Sequence, residues 1–220
     1  MSGELDKVMR AHLDRSVDRL CVELEGLYTR ERIEQCVYDS LEELPQANFD
    51  DFVPVLAHRF ARRRLRAEAQ ADGRLAKDAS EVLFVDVKNA GRSQLAAALL
   101  DARAEGRVHV RSAGVDPATE LDTEVVASMS ELDVDMSSRF PKPLTDEVVR
   151  AADVVVTMGA RDACPVFSGR RYLDWEIDDP VGADPATVRR IRDDLDQRVT
   201  ELLAETLAER ERRPADLAAG

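Results

Sequence analysis

One stretch restricts the fold more than any other. Glu81-Val82-Leu83-Phe84-Val85-Asp86 is an apolar, β-branched run, Val87-Lys88-Asn89-Ala90-Gly91-Arg92-Ser93 is short and polar, and Gln94-Leu95-Ala96-Ala97-Ala98-Leu99-Leu100 is rich in Ala and Leu. Strand, loop and helix follow in that order. The loop then lies at a helix N-terminus, where free N–H groups and the positive end of the helix dipole attract oxyanions. Arg92 adds a planar, two-pronged donor. Asp86 is out of character there, because it puts a carboxylate at the mouth of an anion-binding loop.

The chain after residue 80 continues the alternation that marks a parallel sheet covered by helices. Val108–Gly114 reads as a second strand ending in a small-residue turn, Glu120–Leu132 as a helix, and Thr145–Ala151 as another. Asp153–Gly159 contains a buried strand, Arg171–Trp175 a short last one, and Pro185–Arg212 a long final helix with Val188, Ile191, Leu195, Val199 and Leu202 facing inward. The expected fold is α/β, a parallel four-stranded sheet flanked by helices.

Residues 1–75 carry a different period. Leu5, Val8, Met9, Leu13, Val17, Leu20, Leu24 and Leu27 recur at three- and four-residue steps, the stripe of an amphipathic helix, with Gly26 and Thr29 marking a stop and a new start. A second helix carries Ile33, Val37, Leu41 and Leu44 up to Pro45. A third starts near Asn48–Asp51, tolerates Pro54 in its first turns, and turns Phe52, Val53, Leu56, Phe60 and Leu65 inward. These make a small all-α three-helix domain over 1–75, a linker at 76–80, the α/β domain over 81–212 and a polar tail at 213–220. The arginines of Arg59–Arg66 read as a solvated, cation-rich helix end rather than a nucleic-acid face, and His58 as structural.

Charge narrows the function. The 31 basic and 44 acidic residues leave a net charge of −13, which opposes binding to nucleic acid. There is no signal-like N-terminus and no run of 18 apolar residues, so a soluble, cytoplasmic protein without a membrane partner is expected. Cys21, Cys36 and Cys164 lack paired metal-type spacing and are read as thiols, so neither a metal nor a cofactor is expected.

Val82–Gln94, Ser112-Ala113-Gly114, Pro141-Lys142-Pro143-Leu144-Thr145, Val156-Thr157-Met158-Gly159 and Asp179-Pro180 together resemble the arsenate reductases built on the low-molecular-weight protein tyrosine phosphatase fold. The resemblance covers about residues 81–205. The N-terminal helices resemble the three-helix extension of actinobacterial members. In that family the loop reads Cys, five residues, Arg, then Ser or Thr. The resemblance therefore makes Val87, Lys88, Asn89, Ala90, Gly91, Arg92 and Ser93 the oxyanion-binding loop, Asp179 the general acid, and Asp86 the occupant of the nucleophile's position.

Asp86 cannot do what the family's thiolate does. Reduction of arsenate needs sulfur to supply two electrons, and a carboxylate has no such chemistry. Ala160 stands where many relatives have a further Cys. What the resemblance implies is thus a family member that keeps the loop but is impaired in catalysis, with an oxyanion-binding or regulatory role toward arsenate, phosphate or a similar anion. Two alternatives stay open: a phosphatase using Asp86 itself, and an arsenate reductase silenced by an introduced Cys-to-Asp change. Whether the loop accepts an anion or is filled by the Asp86 carboxylate, with its oxygens on the loop N–H groups or paired with Lys88 and Arg92, is also open. The three-helix domain is a candidate surface for a homodimer.

Overall fold

Val82, Leu83, Phe84 and Val85 are all buried, so this strand has a covered layer on both faces. In the computed structural model, which describes residues 7–44 and 53–212, it forms β1 (Ser80–Asp86). The neighbours are β2 (Val108–Gly114), β3 (Val154–Thr157) and β4 (Arg171–Asp174), in the order β2-β1-β3-β4 and all parallel. The register sets Asp86 opposite Gly114 on β2 and Val85 opposite Thr157 on β3. Strand order reverses at β1, so the crevice beyond its carboxyl end is where such sheets place ligands.

Helix α4 (Arg92–Ala104) follows the loop, and Ser93 to Leu100 are all buried, as expected of a helix apolar all round. It packs between the sheet and a long C-terminal helix that spans Pro185–Arg212 and buries Val188, Ile191, Leu195, Val199 and Leu202. Phe84 and Trp175 meet with ring centroids 5.8 Å apart. Glu81, fully buried on β1, is neutralised by Arg111 on β2 through bonds of 2.5 and 3.1 Å. Helix α5 (Thr123–Ser130) starts later than the pattern suggests, because Asp122 caps it by accepting the N–H groups of Glu124 and Val125.

The chain divides into two units, Met1–Ala76 with Thr145–Ala151, and Lys77–Leu144 with Ala152–Gly220. The first holds α1 (Lys7–Glu23), α2 (Arg30–Glu43) and α3 (Val53–Ala71). Leu13, Val17 and Leu20 of α1, Ile33, Cys36 and Val37 of α2, and Ala57, Phe60, Ala61 and Leu65 of α3 fill its core. Thr29 caps α2 by accepting the Arg32 N–H. Val8, placed on the inward stripe by its spacing, is instead 62% exposed, near the start of α1. Leu5, Pro45, the Asn48–Asp51 cap and Phe52 lie outside the described residues.

Helix α6 (Asp146–Ala151) comes between β2 and β3 in sequence yet packs on α3, with Glu147 accepting from Arg64 at 2.5 Å. Arg64 also pairs with Glu43, and Arg62 and Arg66 with Glu23. The run therefore lies within α3 (Val53–Ala71) rather than at a helix end as its sequence suggests, and these arginines are tied to carboxylates, with Arg64 mostly buried. Among the described residues no helix is long and apolar enough to cross a membrane. The C-terminal helix is α7 below, numbered in chain order.

Candidate functional site

The site begins with the tight turn that follows β1. Residues 87–91 leave β1, double back and enter α4 at its N-cap, Gly91. Asn89 sits at the turn with φ +49°, in the left-handed region that Asn tolerates better than most residues. Its buried side chain is the hub of the loop. Nδ2 donates to Ser93 Oγ (2.8 Å), and Oδ1 accepts from Gln94 Nε2 (3.0 Å) and the Lys142 N–H (2.9 Å). Gln94 Nε2 also reaches the carbonyls of Asn89 and Phe140.

Gly114, opposite Asp86, closes the other side. A Cβ there would stand 2.8 Å from the Asn89 nitrogen and 2.9 Å from the Val87 oxygen, so only glycine lets the loop lie this close. The next residues complete the frame: Val115, Asp116, Ala118 and Asp122 donate their N–H groups to the carbonyls of Asp86, Val87, Lys88 and Ala90. With its carbonyls held from outside, the loop turns its amides elsewhere. No described residue accepts the N–H groups of Val87, Lys88, Ala90, Gly91 or Arg92.

The Asp86 carboxylate lies inside this frame, 3% exposed. Oδ1 accepts the Asn89 N–H at 2.5 Å and Oδ2 the Ser93 N–H at 3.0 Å. Burial pushes its pKa up from the ordinary carboxylate value, and the N–H groups of Ser93 and Asn89 and the charge of Arg92 oppose that rise. Of the two arrangements open from sequence, the structure shows the oxygens on loop N–H groups. Lys88 is turned away, its Nζ 2.5 Å from Asp116.

Arg92 points from the loop toward the segment after β4. Nη1 donates to the Ile177 carbonyl (3.2 Å) and Nη2 to Asp179 Oδ2 (3.1 Å), while Nε is buried with no partner among the described residues. Gly159 makes room for it, since a Cβ there would lie 3.2 Å from Nη1. Asp179 is half exposed and its Oδ1 accepts the Val181 N–H. Pro180 and Val181 pack so closely over Gly91 that a Cβ there would meet both at 3.0 Å. A cleft of about 570 Å³ opens behind Arg92, bounded by Trp175, Asp178 and Arg190. Neighbouring Asp178 pairs with Arg190, so the two adjacent aspartates are differently engaged.

The fold therefore brings together Asp86, Val87, Lys88, Asn89, Ala90, Gly91, Arg92, Ser93 and Asp179. Sequence reasoning left out Gln94, Phe140 and the Lys142 amide. Gln94 carried a readable signal, as a polar residue in an otherwise apolar helical run. Ala160 is buried after β3, and Cys164 is buried with its thiol pushed up by desolvation. Among the described residues no group of three or more His, Cys, Asp or Glu is arranged to hold a metal ion.

Residues 81–213 match the family described as low molecular weight phosphotyrosine protein phosphatase, and residues 13–69 match the N-terminal domain described as protein-tyrosine-phosphatase-like. A putative arsenate reductase of Halobacterium salinarum is 37% identical over 127 residues, covering 56% of this chain and 89% of its own length. The structure of a thioredoxin-dependent arsenate reductase from Corynebacterium glutamicum superposes with a TM-score of 0.81 at 40% identity, over 90% of this chain and 97% of that one. An arsenate reductase solved in its phosphate-binding state gives a TM-score of 0.51 at 26% identity, over 58% of this chain and 98% of that one.

Proposed function

Because the chain belongs to the low molecular weight phosphotyrosine protein phosphatase family, we propose that it is a non-reducing member that binds arsenate, phosphate or a similar oxyanion in the loop of residues 87–93. The observation that carries this reading is the state of Asp86. It stands where the resemblance puts the nucleophilic Cys, and both its oxygens are engaged by the Asn89 and Ser93 N–H groups. A carboxylate so held is a poor nucleophile and supplies no electrons. The rest of the loop keeps five N–H groups without a protein acceptor among the described residues, at the start of α4.

The Asp86 charge works against binding. At an effective dielectric near 20, two unit charges about 4 Å apart repel by about 4 kcal/mol, roughly three decades of affinity. Arg92 and the loop amides offset part of this. The protein acts in the cytoplasm in an oxyanion-binding or regulatory role rather than as a reductase, and its net charge of −13 opposes nucleic acid as a partner. Val22 on α1 and Val55 on α3 are exposed, and self-association through the N-terminal helices is part of the proposal.

Calorimetric titration of the full chain with inorganic phosphate and with arsenate tests the reading. Saturable binding that weakens at least tenfold in Arg92→Ala is the expected result; no binding by the wild-type chain contradicts it. A second reading, a phosphatase using Asp86 as nucleophile, is favoured by Asp179 at 3.1 Å from Arg92, in the place of a general acid. Burst release from an aryl phosphate, lost in Asp86→Asn, identifies that activity; no release at any pH excludes it.

A further inference from the structure

The charged groups around the loop all have protein partners, but those of Asp86 are backbone N–H groups, with no opposite charge beside it among the described residues. Lys88 pairs with Asp116, Arg92 with Asp179, and Asp178 with Arg190. Asp122 accepts the N–H groups of Glu124, Val125 and Gly182; on the β3 and β4 side Asp174 takes the Thr157 hydroxyl and lies 3.9 Å from Arg161; Lys142 donates its Nζ to the Phe140 carbonyl. Asp86, inside the loop, has no cation within 4 Å among the described residues. It meets any anion in the loop as a second negative charge out of reach of solvent.

We propose that the loop takes up a tetrahedral oxyanion and a proton together, the proton coming from solvent and lodging on the Asp86 carboxylate. The inference rests on the oxyanion-binding reading above and states what that reading demands of Asp86. A proton is the small, mobile positive charge able to reach so enclosed a group, since Lys88 and Arg92 are committed elsewhere. The carboxylate can receive it because each oxygen accepts a single loop N–H, from Asn89 at Oδ1 and from Ser93 at Oδ2, and a protonated oxygen can still accept weakly. Protonation also converts Asp86 from acceptor to donor, adding a hydrogen bond to the anion in place of a repulsion. Burial already biases the empty site toward the neutral carboxyl, and a bound anion extends the bias. Binding is consequently tight in acid and weakens as pH rises through the window between the Asp86 pKa values of the empty and occupied loop.

Calorimetric titration of the full chain with sulfate tests this, because sulfate is tetrahedral and carries no proton of its own to titrate near neutral pH. Repeating the titration in two buffers of different ionisation enthalpy counts the protons taken up. The expected result is about one proton per sulfate, with affinity falling about tenfold for each pH unit within the window. Asp86→Asn and Asp86→Ser, two variants of different shape, bind sulfate without proton uptake. Sulfate binding by the wild-type chain with no proton uptake, or with the same uptake in both variants, overturns the inference and leaves the oxyanion-binding reading standing. Binding by the variants alone shows that Asp86 stays ionised, and overturns it too. No binding by any of the three chains removes the oxyanion-binding reading itself, and this inference with it.

Discussion

Asn89 gives its backbone N–H to Asp86 Oδ1 at 2.5 Å while its own φ is held at +49°. The bend that brings this amide back over the end of β1 is the same bend that shapes the loop. The carboxylate at position 86 is therefore seated by the loop's own geometry.

The Asn89 side chain holds that bend, and its loss is costly in a graded way. Asn89→Ala leaves Ser93, Gln94 and the Lys142 amide short of a partner in a buried site, at roughly 1–3 kcal/mol, and keeps a left-handed residue with a Cβ. Asn89→Gly loses the same bonds but relieves the backbone, so it is expected to be more stable than Asn89→Ala by about 1 kcal/mol. Urea unfolding of both variants checks the order; equal stabilities would mean that φ at this position carries no strain.

Gly114 is the loop's steric complement. The Cβ of Gly114→Ala would sit under 3.0 Å from backbone and Cβ atoms of residues 87 and 89, none of them the end of a flexible side chain. A loss of roughly 1–3 kcal/mol is expected, together with loss of phosphate binding. A variant that binds phosphate as the wild type does would place the anion elsewhere.

How much of this was legible in the sequence differs between elements. The bounds of β2 and the start of α7 were readable, because Val108–Gly114 ends in a small-residue turn and Asp184 before Pro185 accepts the N–H groups of Ala186 and Thr187. The loop was readable because strand, Gly and Arg occur in one short window. The pairing of Asp86 with the Asn89 and Ser93 amides was not, since a carboxylate facing a loop can turn to cations or to N–H groups, and only the positions of Lys88 and Arg92 decide. The placement of α6 on α3 was also hidden: the ion pair of Glu147 with Arg64 joins residues 83 apart, and nothing local announces it.

Asp86 gives stability a distinct pH signature. A carboxyl whose pKa is raised by folding contributes its full stability below the unfolded value of about 3.9 and loses it as pH rises through the folded value. Asp86→Asn abolishes this term. Its stability relative to wild type is expected to improve with rising pH across that window and then level off, by about 1.4 kcal/mol for each unit separating the two pKa values. Thermal unfolding of both chains at a series of pH values measures it; a difference independent of pH would contradict the burial argument.

Under the proposed oxyanion-binding reading, Asp179 competes with an incoming anion for Arg92. The pair is half exposed on the Asp179 side, so its worth is at most about 1 kcal/mol. Asp179→Asn is expected to bind phosphate up to about fivefold more tightly at low salt, with the gain fading as salt screens the pair. Weaker binding in this variant would show that Asp179 orients Arg92 toward the anion rather than holding it back.

The central claim is that the carboxylate at position 86 leaves an oxyanion-binding loop without reductive chemistry, and arsenate turnover tests it most directly. Wild-type chain and Asp86→Asn, purified side by side and assayed with thioredoxin and with low-molecular-weight thiols, are predicted to form no arsenite above the protein-free blank. Arsenite formation that rises in proportion to wild-type chain and disappears in Asp86→Asn would contradict the account.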